Sequence, residues 1–160
     1  TLNIKVIIND RIDIMLACNA DGVHIGRNDL PIRVARTLCE NKILGYSVNT
    51  LEHLKTAEDA KVDYIGIGPV FNTTTKADTG PELGLTGLTH ITDNTSLPAV
   101  AIGGITIDNA ASVVSKGGAT GCCVISAIWS ASNPPDAARK LHTRIYAAAK
   151  QGTPPEDMTT

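Results

Sequence analysis

The sequence predicts an α/β fold of six consecutive βα units, and three observations predict it. Short apolar runs recur six times without alternating with polar residues, the mark of strands covered on both faces in a parallel sheet. Stretches with apolar residues at helical spacing lie between them. Polar residues follow strand after strand, and no glycine fingerprint follows the first, which suits part of a (β/α)8 barrel whose site is assembled from many loops. Periodicity alone leaves that barrel and an open doubly wound sheet both standing.

The elements follow in order. A strand is expected at 6–8 and a helix over 12–18; a second strand at 22–25 leads to a helix over 31–39, with Pro31 in the first turn. The third strand, 43–45, precedes a helix over 51–60 that Thr50 is placed to cap. The fourth unit pairs a strand at 64–67 with a helix over 85–92. The fifth pairs 99–102 with a helix over 109–116, capped by Thr106 or Asp108 and stopped by Gly117 and Gly118. The last strand, 121–125, leads to a helix over 134–149 that opens on Pro134. One domain is expected over 1–150, and "QGTPPEDMTT" over 151–160 reads as a disordered tail or linker. A whole barrel takes about 250 residues, about 200 at the short end, so this chain of 160 is two units short of one.

Bulk composition excludes several classes of function. A net charge of -2 and 3% aromatic residues predict no nucleic-acid partner, since neither an electrostatic footprint nor a base-stacking surface is available. No apolar run approaches the length of a membrane span, so no membrane partner is expected. Cys18, Cys39, Cys122 and Cys123 lack zinc spacing and read as buried thiols. With no charged and apolar leader at the start of the chain, a cytoplasmic location is expected.

Chemistry-bearing residues gather after the strands. Asn9 and Asp10 close the first, and Asp29 follows the second in "GVHIGRNDL". Carboxylates at two neighbouring parallel strand ends would share one rim and could take Mg2+; equally, each aspartate could cap the helix that follows it. Ser47 ends the third strand, where its hydroxyl could donate to a phosphate, or could be an ordinary turn serine. "FNTTTKADTG", 71–80, offers hydroxyls, backbone donors and the charge of Lys76. Gly103 and Gly104 in "AIGGITIDNA", and "VISAI" after the sixth strand, could together direct N–H groups at an anion. His24, His53, His90 and His142 are expected to be structural, Trp129 to be packed, and no nucleophile and base pair is evident.

Together "VIINDRIDIMLACNADGVHIGRNDL", "ILGYSVNTLEH", "DYIGIGPVFNTTTKADTG", "VAIGGITIDNAASVVSKGGATG" and "VISAI" resemble the thiamine phosphate synthase family, in order and spacing, from about residue 5 to 141. The resemblance implies a TIM-type (β/α)8 barrel from which the first two βα units are absent. It also implies a transferase of thiamine biosynthesis that joins hydroxymethylpyrimidine pyrophosphate to hydroxyethylthiazole phosphate, giving thiamine phosphate and pyrophosphate through a pyrimidine carbocation. By position, Asp10 and Asp29 would hold Mg2+, Asn9 would face the pyrimidine substrate's pyrophosphate, Thr73 and Thr75 would bind substrate from the 71–80 loop, and Ser47 and Lys76 would be catalytic at the departing pyrophosphate. Gly104, Ile125 and Ser126 would hold the thiazole phosphate. Arg27, Asn49 and Asn72 depart from the family's usual glutamine, histidine and proline. Two raw sheet edges predict a homo-oligomer or a separate N-terminal part, and a chain whose activity alone is open. The alternatives are a thiazole tautomerase relative and a non-catalytic phosphate-binding barrel fragment.

Overall fold

A computed structural model describes residues 4–73, 75 and 80–152. Among them the order is β1 (Ile7–Asn9), α1 (Ile12–Ala17), β2 (Gly22–Ile25), α2 (Ile32–Leu38), β3 (Ile43–Val48), α3 (Leu51–Asp59), β4 (Tyr64–Ile67), α4 (Gly84–Thr92), β5 (Ala99–Ile102), α5 (Ala110–Ser115), β6 (Gly121–Cys123), α6 (Ser126–Trp129) and α7 (Pro134–Gly152). All pairings are parallel, and the strands lie side by side in chain order. That order decides between the two architectures. A doubly wound sheet reverses direction at a switch point, whereas a barrel wall adds each strand to the last. The molecule is six-eighths of such a wall, with β1 and β6 at its edges.

Period two sorts the strand residues onto two faces. Val23, Ile25, Leu44, Ile65, Ile67 and Ala101 are wholly buried and pack with Met15, Ala35, Leu54, Leu88 and Val113 from the helices. The core therefore sits between sheet and helices. The other face carries His24, Ser47, Tyr64, Ile102 and Cys123, is at most half-buried at these positions, and is open.

The ends of the strands that face away from the βα loops are tied by one repeated device. The residue just before an even-numbered strand accepts an N–H from the preceding strand or, at β1, from the residue just before it. Asp21 Oδ2 accepts from Val6 (2.9 Å), Asp63 Oδ2 from Leu44 (2.8 Å) and Thr120 Oγ1 from Ala99 (3.2 Å). Arg36 adds an ion pair to Asp63 at 2.9 Å.

Thr50 caps α3 as expected, its Oγ1 accepting from His53 N at 3.2 Å. At α5 Asn109 stands at the cap position without a side-chain cap bond, and Thr106, not Asp108, caps the turn leading in, its Oγ1 accepting from Asp108 N at 3.3 Å and its N–H donating to Asn109 Oδ1 at 2.8 Å. Three expectations are corrected. The sixth strand stops at Cys123, because Ile125 turns the chain into the four-residue α6, too short to show a helical period. Trp129 is 76% exposed. Of the cysteines only Cys39 is buried, with Cys122 half-buried and Cys18 and Cys123 exposed. Helix α7 runs to Gly152, and residues 153–160 lie outside the described ones. Among the described residues no helix is long and apolar enough to cross a membrane.

Candidate functional site

The C-terminal ends of β1 and β2 bring two acidic loops side by side. Asn9, exposed, pairs with His24 across the sheet. Asp10 follows with φ 62 and donates its N–H to the His24 carbonyl at 2.8 Å. Aspartate tolerates this left-handed conformation better than most residues, and it turns the chain out of the strand. Arg11 is engaged by Asp13, whose carboxyl its hydrogen bonds hold down to about 2. In the next loop Asp29 Oδ2 accepts from Gly26 N at 2.6 Å, a charge-assisted bond that folds the loop on itself. Helix α2 begins after Pro31 without a side-chain cap, so the capping alternative for Asp29 is corrected.

Among the described residues no group of three or more His, Cys, Asp or Glu gathers to cage a metal. Asp10 and Asp29, both half-buried at neighbouring strand ends, are a donor set of a different kind. It fits Mg2+, which keeps waters and is commonly held by one or two carboxylates plus substrate phosphates.

The open face next to these loops holds a cluster that the sequence reading missed. His24 Nδ1 lies 3.0 Å from the Tyr64 hydroxyl and Nε2 lies 3.0 Å from Ser47 Oγ. The ring has room because β3 and β4 carry glycine beneath it. A Cβ on Gly45 would meet Tyr64 Cζ at 2.2 Å and His24 Nδ1 at 2.5 Å, and one on Gly66 would meet His24 Cε1 at 2.9 Å. Burial first, then the nearby Cys123, pushes the Tyr64 phenol up to about 12, so it stays protonated at neutral pH. His24 is thus no core filler. Its partners lie 23 and 40 residues away, and only the parallel register joins them.

The β4–α4 and β5–α5 loops are stitched together. Val70 N donates to Ile102 O (2.9 Å) and Phe71 N to Gly103 O (3.1 Å). Gly103 and Gly104 both have positive φ, and a Cβ on Gly104 would meet Asn72 O at 2.4 Å. This turn therefore requires glycine on both counts. Thr73 is half-buried and its Oγ1 accepts from Thr75 N at 3.3 Å; Thr75 is exposed. Lys76 lies outside the described residues. Ile102 pairs with Cys123, which sets the Gly104 loop beside Ile125 at the α6 cap and Ser126 in its first turn. A cleft of about 380 Å³ extends from Ser126 and Thr106 to Lys140 on α7.

Asn9 and Ser47 stand at the C-terminal ends of β1 and β3, and Asp10, Asp29, Thr73, Thr75, Gly104, Ile125 and Ser126 follow the C-terminal ends of their strands, the rim where barrel enzymes carry their chemistry. A family model described as thiamine monophosphate synthase matches residues 1–128. The chain is 45% identical over 142 residues to the thiamine-phosphate synthase of Chloroflexus aurantiacus, covering 89% of this chain and 65% of that one. It is 44% identical over 146 residues to that of Roseiflexus sp. strain RS-1, covering 91% and 61%. The thiamine phosphate pyrophosphorylase of Pyrococcus furiosus superposes with a TM-score of 0.80 at 40% identity, over 89% of this chain and 67% of that one. The chain thus spans a little under two thirds of the two curated relatives' lengths. With the motif residues on one rim and the family model matched over most of its length, this chain belongs to the thiamine monophosphate synthase family.

Proposed function

We propose that the chain acts in thiamine phosphate synthesis, condensing hydroxymethylpyrimidine pyrophosphate with hydroxyethylthiazole phosphate. The observation that carries this reading is the pairing of a carboxylate rim (Asp10, Asp29) with a hydrogen-bonded cluster of Ser47, His24 and Tyr64 on adjoining strands. In the reaction the bond from the pyrimidine methylene carbon to pyrophosphate breaks, pyrophosphate keeps the electron pair, and the thiazole nitrogen bonds to the carbon. Such a step asks for stabilised charge on the leaving group and for no protein nucleophile.

Asp10 and Asp29 would hold Mg2+, which when bound supplies positive charge to the pyrophosphate oxygens. Asn9 donates its side-chain amide to that pyrophosphate, and Ser47 and Lys76 add a hydroxyl and an ammonium donor. Thr73 and Thr75 serve substrate binding from the loop that begins at Phe71. Gly104, Ile125 and Ser126 hold the thiazole phosphate, bringing the nitrogen to the carbon that pyrophosphate leaves.

The test is thiamine phosphate formation by the purified 160-residue chain with both substrates and Mg2+. Mg2+-dependent product that falls about 100-fold or more in Asp29→Asn is expected. A folded chain that forms no product overturns the reading that these six βα units suffice for the reaction.

A further inference from the structure

We propose that Tyr64 and His24 form a hydrogen-bond chain that fixes the hydroxyl hydrogen of Ser47 toward the open face of the sheet, making Ser47 an obligate donor to an anionic phosphate oxygen. Tyr64 is then a positioning residue that touches no ligand. The anion's identity as a pyrophosphate rests on the function proposed above; the proton arrangement rests on the two contacts of the neutral His24 ring and on the acidity of the phenol.

Both imidazole nitrogens of His24 are engaged, Nδ1 with the Tyr64 hydroxyl and Nε2 with Ser47 Oγ, each at 3.0 Å. A neutral imidazole carries one N–H, so one of these contacts is donated by the ring and the other accepted by it. If Nδ1–H donates to Tyr64, the phenol hydrogen must find another acceptor, and the hydrogen bonds of the described residues give Tyr64 only His24. A half-buried donor without an acceptor bears a desolvation cost. If Tyr64 donates to Nδ1, both phenol and imidazole are satisfied, and Nε2–H donates to Ser47 Oγ. A phenol is also a far stronger acid than a serine hydroxyl and hence the better donor.

The second arrangement leaves consequences only at Ser47. Its oxygen is occupied by the Nε2–H, so its own hydrogen cannot point at His24. Ser47 is exposed on the open face, where that hydrogen has room to reach a ligand. Gly45 and Gly66 keep the rings in place, since a methyl group on Gly45 would strike both and one on Gly66 would strike His24.

Two measurements on the 160-residue chain test this. Long-range proton–nitrogen NMR of the histidine ring should place the hydrogen on Nε2, and Tyr64→Phe, which keeps the ring over Gly45, should shift the population toward Nδ1–H. Binding of inorganic pyrophosphate with Mg2+ is the second. Ser47→Ala should weaken it about tenfold and Tyr64→Phe about threefold, with the double variant no weaker than Ser47→Ala, because both act through one hydrogen bond. A hydrogen on Nδ1 in the unmodified chain, or two losses that multiply, overturns the proposal. Neither readout requires turnover, so failure of the synthase assay leaves this test intact.

Discussion

The two ends of the sheet use the same residue types for different work. At one end Asp21, Asp63 and Thr120 spend their oxygens on the N–H groups of neighbouring strands, and Arg36 reinforces Asp63. At the other end, among the described residues, Asp29 accepts within its own loop, while Ser47 and His24 bond to each other on an open face. The end of the strand on which an aspartate stands thus separates oxygens that tie neighbouring strands from oxygens that stay within one loop, the division along which barrels in general part stability from chemistry. Substitutions at the two ends should separate into losses of stability and losses of ligand.

The largest stability effect is expected where the division is least clean, at Gly104. Gly104→Ala would put a Cβ 2.4 Å from Asn72 O in a residue at φ +60, costing about 2 kcal/mol in urea unfolding and also weakening phosphate binding. A neutral outcome would show that the two loops move apart freely. Next come the two aspartates. Asp63→Ala removes the acceptor for Leu44 N and the partner of Arg36, and should cost about 1 kcal/mol while leaving pyrophosphate affinity unchanged. Asp29→Asn keeps an oxygen for Gly26 N, so its stability cost should stay under about 0.5 kcal/mol, yet Mg2+-dependent pyrophosphate binding should fall at least about tenfold. Equal effects from the two variants would break the comparison.

The smallest effect is a pH dependence at Asp21. The Val6 N–H first, and then Lys5, lowers its folded pKa. Its contribution is thus present above the unfolded carboxylate value of about 3.9 and is lost as pH falls through the lowered folded value. Melting temperatures of the Asp21→Asn variant should show a shallower acid-side decline than those of the parent. An identical decline would assign the lowered pKa no role in folding.

Much of this was legible in the sequence, for identifiable reasons. Strands such as Tyr64–Ile67 are buried on their helix side and bounded by polar residues, so continuous apolarity finds them. Thr50 is a local cap and local spacing identifies it. Helix α6 escaped because four residues complete barely one turn. Asp29 was ambiguous because a loop-closing aspartate and a helix cap occupy the same place before a helix. The hydrogen bonds of His24 are not legible locally, because its partners are joined to it through two strand pairings rather than through any local motif. One signal could have found it: the alternation of "GVHI" puts His24 on the same side as Gly22, the side opposite the apolar Val23 and Ile25.

If anionic substrate binds at the C-terminal ends of the strands and the opposite end only stabilises, amide NMR during titration with hydroxymethylpyrimidine pyrophosphate and Mg2+ should separate the two ends. Shifts are expected at Asp10, Gly26, Asp29 and Ser47, with Asp21, Asp63 and Thr120 unmoved. Shifts concentrated at those last three residues, or none at saturating ligand, would contradict that separation.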